Sequence, residues 1–379
     1  MTAKPQSHKC KTDFLTLLNA MITFHPPSPN LPAPDKINTF APMKILYITN
    51  GINGSGGLER VLSVKASALA EKFGHQVCIA TLNEQNHQAF YAFSPKVKFI
   101  GFNAKGNPLS YLWQYRKALN NLLAKEQPDI VSVCDDGLKG FFVPNIAKTQ
   151  AKIIYERHAS IRLNTNKSLK GKLMKWLMIK QAPKFDKFVV LTPGNTKEWN
   201  SNNLTTIPNP LGFECENLHP LNQKRIIAVG AHSWNKGHDL LLKIWSRIEP
   251  DFPDWQLNIY GKIDKDRVFI NMAKELNLKN VHFHSPVQNI QAEYENSSVL
   301  VLPSRSEGFG MVLIEAMECG LPSVAFDCPS GPADIITHAV DGFLIENGNT
   351  VDFELKLKML MNDHSLRIKM GSSAKENAK

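Results

Sequence analysis

The segment SEGFGMVLIEAMECG, residues 306–320, sets two carboxylates, Glu307 and Glu315, eight positions apart, with Gly308, Phe309 and Gly310 directly after the first. The glycines permit a tight turn, and MVLIEAMECG supplies a helix whose end is marked by Gly320 and Pro322. A helix starting near Gly310 puts Glu315 in its second turn, roughly 7 to 8 Å along the axis at about 1.5 Å per residue. The free N–H groups of the helix start then lie between the two acids and favour an anion. That arrangement suits one elongated ligand with a polyol at each end and phosphates in the middle, which is the shape of a sugar nucleotide.

Two other stretches offer anion chemistry. NGINGSGGLER, residues 50–60, carries Gly51, Gly54, Gly56 and Gly57 ahead of a helix, so its backbone can approach a phosphate. It is not G-x-G-x-x-G, and no acid clearly ends the following strand to hold a ribose, which disfavours a dinucleotide. A glycine loop without a ligand is the competing reading. In VGAHSWNKGHDLLL, residues 229–242, Lys236 stands just before a helix, where an ammonium can neutralise a phosphate; a plain surface lysine is the alternative.

These residues need a scaffold, and alternation of apolar runs supplies one. MKILYITN, GHQVCIATLN, KVKFIGF, PDIVSVCD, KIIYERH and KFVVLT read as strands, with helices in LERVLSVKASALAEKF and YLWQYRKALNNLLAKEQ. After the irregular stretch 207–223 the alternation restarts with RIIAVG, WQLNIYG, VHFHS and SVLVLPS as strands and helices between them. The expectation is an α/β chain of two doubly wound halves, 43–206 and 224–362, joined by a linker over 207–223. In such sheets ligands sit beyond the carboxyl ends of the strands, which is where all three motifs fall. Residues 1–42 read as an extension, proline-rich over 26–42, and 363–379 as a short helical tail.

Taken in order, GSGGLERV, IPNPL, VGAHSWNKGHDLLLKIW, the Glu-x7-Glu of residues 304–320 and CPSGPADIITHAVDGFLIENGN resemble the family 4 retaining glycosyltransferases over about residues 43–362. The resemblance implies a GT-B fold, two Rossmann-like domains facing a central cleft, the first for the acceptor and the second for a nucleotide-sugar donor, with UDP the commoner nucleotide. It implies that Glu307 contacts the donor sugar, Glu315 the ribose, Lys236 the diphosphate, and Gly56 and Gly57 the phosphates. Gly308, Phe309 and Gly310 complete the donor loop. His158 in YERHAS matches a histidine placed near the sugar, set against a purely structural histidine; Arg157 beside it and Asn209 in IPNPL join the candidates. Where the family has Val-Gly-Arg, this chain has Ala231, so an expected cation is missing, and His232 is the nearby partial substitute. The chain also ends where the family continues into a helix that crosses back to the first domain. The fold implied uses a helix end and basic residues in place of a metal, so no metal or other cofactor is expected, and the D-x-D of Asp264–Asp266 reads as chance.

With 379 residues and a formal charge of +10, the chain is long enough for two cores and suits an anionic partner. Few aromatics interleave with its basic residues outside 169–188, and no nucleic-acid motif appears, so a basic nucleic-acid or membrane-surface binding protein is the rival class and no nucleic acid is expected. A glycosidase, the other rival, needs acids that flank a bond. LKGKLMKWLMIKQAPKFDKF, residues 169–188, mixes lysines with Leu173, Trp176, Leu177 and Ile179. It reads either as a helix on an anionic membrane, which would suit a lipid-linked acceptor, or as one that packs its apolar face on the core. The six cysteines show no metal spacing and read as free thiols in a reducing cytoplasm, and FLTLLNAMITF, eleven residues, is too short to span a bilayer. The expected acceptor is a growing surface polysaccharide or lipid-linked oligosaccharide, on the cytoplasmic side.

Overall fold

The computed structural model describes residues 41–84, 88–161, 168–216 and 218–378. The expected extension over 1–42, FLTLLNAMITF included, lies outside them apart from Ala41 and Pro42. The described residues form two compact units that divide between Pro210 and Leu211.

The N-terminal unit runs β1 (Lys44–Thr49), α1 (Gly57–Glu71), β2 (Gln76–Leu82), β3 (Lys98–Phe102), α2 (Pro108–Glu126), β4 (Ile130–Cys134), α3 (Leu138–Phe141), α4 (Val143–Ile146), β5 (Lys152–Glu156), α5 (Leu169–Gln181), β6 (Lys187–Val190), α6 (Pro193–Thr196) and β7 (Leu204–Thr206). Its strands are all parallel and lie in the order β3-β2-β1-β4-β5-β6-β7. A parallel sheet is covered on both faces, which is why β1 and β4 are apolar runs rather than alternating ones. Leu62, Ala66 and Leu69 of α1 cover one face. Tyr115, Leu119 and Leu123 of α2, Phe141 of α3 and Met178 of α5 cover the other.

The C-terminal unit runs β8 (Arg225–Val229), α7 (His238–Ile248), β9 (Gln256–Tyr260), α8 (Val268–Glu275), β10 (Val281–His284), α9 (Ile290–Glu295), β11 (Val299–Leu302), α10 (Met311–Glu318), β12 (Ser323–Asp327), α11 (Pro332–Ile335), β13 (Gly342–Glu346), α12 (Thr350–Asn362) and α13 (His364–Asn377). Its parallel strands lie in the order β10-β9-β8-β11-β12-β13. Trp245 of α7, Phe269 of α8 and Phe353 of α12 fill one face, and Tyr294 of α9 with Leu313 and Ala316 of α10 the other.

In both sheets the strand order reverses beside the first strand, between β1 and β4 and between β8 and β11. At such a switch point the two connections leave in opposite directions and open a crevice at the carboxyl edge.

Of the stretch 207–223, Ile207 is buried in the N-terminal core, while Cys215 and Leu221 are buried in the C-terminal core. Helix α13 is an integral part of the C-terminal unit: Arg367 donates to the carbonyls of Leu221 and Leu360 at 3.1 and 2.6 Å, and Asn377 donates to Asp341 at 2.6 Å. The expectation that every cysteine is a free thiol is corrected. Cys215 and Cys319 form a disulfide with their Cα atoms 5.2 Å apart, because the segment entering the C-terminal unit runs past the end of α10. Cys78, Cys134 and Cys328 are free and buried.

Candidate functional site

In the C-terminal unit the loops after β8 and β11 meet at the switch point. Trp234–Lys236 makes one 3-10 turn, Gly237 adopts φ +69°, and α7 begins. A Cβ on Gly237 would lie 1.9 Å from the Pro303 carbonyl oxygen, so glycine is what lets the two loops touch. Asn235 donates to the Ser306 carbonyl at 3.0 Å, and the Arg305 amide returns a bond to the Asn235 carbonyl at 2.8 Å. Arg305 also grips Asp239 of α7 with two bonds of 2.7 Å, a fork that holds the loops in register. Neither Arg305 nor Asp239 figures in the sequence reading, although an arginine directly after an apolar strand and an acid in a first helical turn were the available signals.

This stapling brings Lys236 to Glu307. The Lys236 Nζ lies 2.7 and 3.0 Å from the two Glu307 carboxylate oxygens. Gly308 to Gly310 then turn the chain, Gly310 at φ +95°, and α10 begins at Met311 with no side-chain cap on its N-terminus. Apart from the Leu313 amide, which donates to the Gly310 carbonyl at 2.8 Å, its first-turn amides are available to an anion. Glu315, the fifth residue of α10, is buried and accepts a 2.8 Å bond from the Tyr294 hydroxyl of α9. Tyr294, absent from the sequence reading, thus fixes one carboxylate oxygen. Phe309 is buried, its carbonyl against Gly331.

His232, beside Ala231, turns inward. That side chain is buried against His238 and Phe283, and burial lowers its pKa, so the ring is neutral at pH 7. Its neighbour His238 is pushed down to about 4 by burial and by His232. Asp264 of the D-x-D accepts from the Val268 amide at 2.7 Å and shapes the start of α8.

In the N-terminal unit Gly56 caps α1 and Gly57 is its first residue. The space in front of this glycine loop holds the carboxylate of Glu59: a Cβ on Gly54 or Gly56 would lie 2.1 or 2.7 Å from its oxygens. Burial raises the Glu59 pKa, opposed by backbone hydrogen bonds at Glu59 and Gly56. The amides read as a phosphate cradle are thus partly engaged by the helix's own first-turn acid.

His158 follows β5, its amide donating to Asp136 at 3.2 Å. Both its ring nitrogens are buried without a hydrogen bond among the described residues, and Nε2 lies 3.6 Å from Glu156. Glu156 accepts from Ser132 at 2.6 Å and pairs with Lys65 of α1, both partners almost fully buried. Burial alone would raise the Glu156 pKa, but Lys65 and His158 outweigh it and hold the carboxyl well below the usual range. This buried pair went unread in the sequence; the signals were an acid ending KIIYE and a lysine on the apolar side of α1. Arg157 donates to the carbonyls of Asp136 and Ser160 at 2.8 and 3.0 Å. Asn209 is buried beyond β7.

Comparison with known proteins bears on the family and the fold. The profile described as "Glycosyltransferase Family 4" matches residues 55–211, and that described as "Glycosyl transferases group 1" matches residues 214–377. The chain is 31% identical over 341 residues to an uncharacterized glycosyltransferase of Haemophilus influenzae, covering 88% of this chain and 94% of the relative. It is 27% identical over 350 residues to the amylovoran biosynthesis glycosyltransferase AmsD of Erwinia amylovora, covering 88% and 95%. Among solved structures, a Staphylococcus aureus TarM variant in complex with fondaparinux, α-GlcNAc-glycerol and UDP superposes with a TM-score of 0.76 at 17% identity, covering 88% of this chain and 96% of that one.

Proposed function

The chain belongs to glycosyltransferase family 4 and has the GT-B fold, and on that premise we propose that it moves a hexose or N-acetylhexosamine from a UDP-sugar to a growing glycan or lipid-linked oligosaccharide, with retention at the anomeric carbon. The observation that carries this reading is the convergence of Lys236 and Glu307 on the uncapped start of α10, with Glu315 a turn further along. UDP in the TarM complex and the biosynthetic role in the name AmsD support the donor and the product class.

In this reading the donor diphosphate takes Lys236 from Glu307 and lies over the first-turn amides of α10. Glu307, released, meets the sugar hydroxyls, and Glu315 meets the ribose. The bond between the anomeric carbon and the phosphate oxygen breaks, and its electrons pass to that oxygen. The acceptor hydroxyl attacks the same face, and its proton goes to the departing phosphate. Lys236 and the α10 amides stabilise the charge that accumulates on the leaving group, so no metal is required. Each carboxylate already has a partner, Lys236 for Glu307 and Tyr294 for Glu315, which fits binding along a ligand better than the opposed acid and base of a glycosidase.

A donor screen that reads nucleoside diphosphate release tests the proposal. UDP release with one UDP-sugar is expected, abolished in Glu307→Ala and shifted to higher donor KM in Glu315→Ala. Wild-type turnover in Glu307→Ala, or no release from any nucleotide sugar, refutes it.

A further inference from the structure

The N-terminal unit carries a second surface that the transfer chemistry leaves unused. Its exposed large hydrophobics among the described residues are Leu109, Leu112, Trp113, Leu169, Leu173 and Trp176, and all six lie on α2 and α5. Trp113 and Trp176 are 63% and 54% exposed, far from what an aromatic adopts when a core is available to it. Both helices cover the same face of the sheet, since Tyr115 and Leu119 of α2 and Met178 of α5 enter one core cluster. Helix α4 ties them together: Asn120 of α2 donates to the Ile146 carbonyl at 2.9 Å, and Asn145 donates to Gln181 of α5 at 2.7 Å.

Topology aligns the two apolar clusters. Each helix follows a parallel strand, β3 or β5, and so starts at the carboxyl edge of the sheet. In each helix the apolar side chains occupy the first two turns or so, at helical spacing, and therefore gather at that edge. His158 and the glycine loop lie along the same edge of this unit.

The charge around the clusters has one sign. Arg116, Lys117 and Lys125 on α2 and Lys170, Lys172, Lys175 and Lys180 on α5 are exposed. The carboxylate these helices contain, Glu126, is buried and paired with Lys44 and Lys98. Lys117 stands 5.0 Å over the Trp113 ring and Lys180 4.9 Å over that of Trp176, so each tryptophan is joined to a cation. Indole rings and leucines ringed by ammonium groups, with no exposed acid on either helix, complement a negatively charged lipid surface: the rings enter the headgroup layer and the lysines meet its charge. None of the described helices is long and apolar enough to cross a membrane, so the contact is one of lying on the surface.

We propose that α2 and α5 together dock the N-terminal unit onto an anionic lipid bilayer, which presents a lipid-linked acceptor at the carboxyl edge beside His158. The proposal rests on the transferase reading only for what the surface delivers; the contact itself is measured without turnover. The helix divides between the two readings of residues 169–188: Met178 and Ile179 of α5 pack on the core, while Leu169, Leu173 and Trp176 face solvent.

The test is sedimentation of the full chain with vesicles of phosphatidylethanolamine and phosphatidylglycerol, against vesicles of phosphatidylcholine alone. Binding to the anionic vesicles is expected, weakened at least tenfold by 0.5 M NaCl and at least tenfold in Trp113→Ser/Trp176→Ser, with unchanged circular dichroism and unchanged UDP affinity. Lys172→Gln/Lys175→Gln provides a second variant that keeps the apolar groups and is expected to lose binding to anionic vesicles several-fold. Absence of binding, equal binding to neutral vesicles, or full binding by the tryptophan variant overturns the proposal. So does a dimer in sedimentation velocity that the tryptophan variant abolishes, since a second copy would then be the occupant.

Discussion

Substituting Glu307 by glutamine should tighten binding of UDP while removing most turnover. Without a ligand, the two Glu307 oxygens hold the Lys236 ammonium at 2.7 and 3.0 Å, with side chains 8% and 25% exposed respectively. The pair is thus neither fully buried nor at the surface. Exposed pairs contribute roughly 0–1 kcal/mol net, and buried pairs cost more to break than to form. A ligand diphosphate that recruits Lys236 must first compete with this carboxylate. Glutamine keeps the size and one acceptor but removes the charge, so the competition falls by about 1 kcal/mol, a gain of about fivefold in UDP affinity. The sugar loses its carboxylate partner at the same time, and kcat should fall by about 100-fold or more. Isothermal titration with UDP reads the first effect and steady-state release of UDP the second. Lys236→Ala provides the opposing arm, with UDP affinity reduced about tenfold or more. A tenfold loss of UDP affinity in a well-folded Glu307→Gln would refute the reasoning, because Glu307 would then be supporting the phosphate site rather than competing for it.

Four further outcomes follow from contacts described above. Lys65→Met strands Glu156 as a buried charge and should cost about 3–5 kcal/mol in urea unfolding, while Lys65→Met/Glu156→Gln recovers part of it; a double variant no more stable than the single one would show the pair is not the cause. The folded Glu156 pKa is depressed, so its stabilising effect is complete above the unfolded value of about 4.3 and is lost as pH falls through the folded one. The double variant should therefore lose stability less steeply with acid below about pH 4, and parallel curves would contradict this. Gly237→Ala combines a left-handed backbone with a Cβ 1.9 Å from a carbonyl oxygen, and a loss of about 2–4 kcal/mol is expected from the urea midpoint, with no loss counting against the contact. Tyr294→Phe removes a hydrogen bond to a buried carboxylate and should cost about 1.5–3 kcal/mol, read in the same assay; a change under 0.5 kcal/mol, the ~0.5 kcal/mol scale of neutral surface substitutions, would mean that Glu315 is held by other groups.

Much of this architecture is written locally and some of it is not. The runs ILYIT, IIAV and VLVL are readable as strands because a buried parallel strand needs apolar side chains on both faces. β12 and β13, SVAFD and GFLIE, escape the same reading because glycines and prolines crowd the sequence around them. Pairings carried by topology escape it altogether: Lys65 meets Glu156 across 91 residues, Arg305 meets Asp239 across 66, and Cys215 meets Cys319 across 104. Each joins elements whose adjacency is fixed by strand order, and periodicity carries no information about strand order. The pair at the centre of the site is intermediate. Lys236 and Glu307 are recognisable one by one from a lysine before a helix and an acid before two glycines, yet nothing local says that they touch. Once β8 and β11 are neighbours at the reversal of the sheet, the loops leaving their carboxyl ends have to share one crevice. A cation in one loop and an anion in the other then find each other, and a ligand that bears phosphate and hydroxyls is what could separate them.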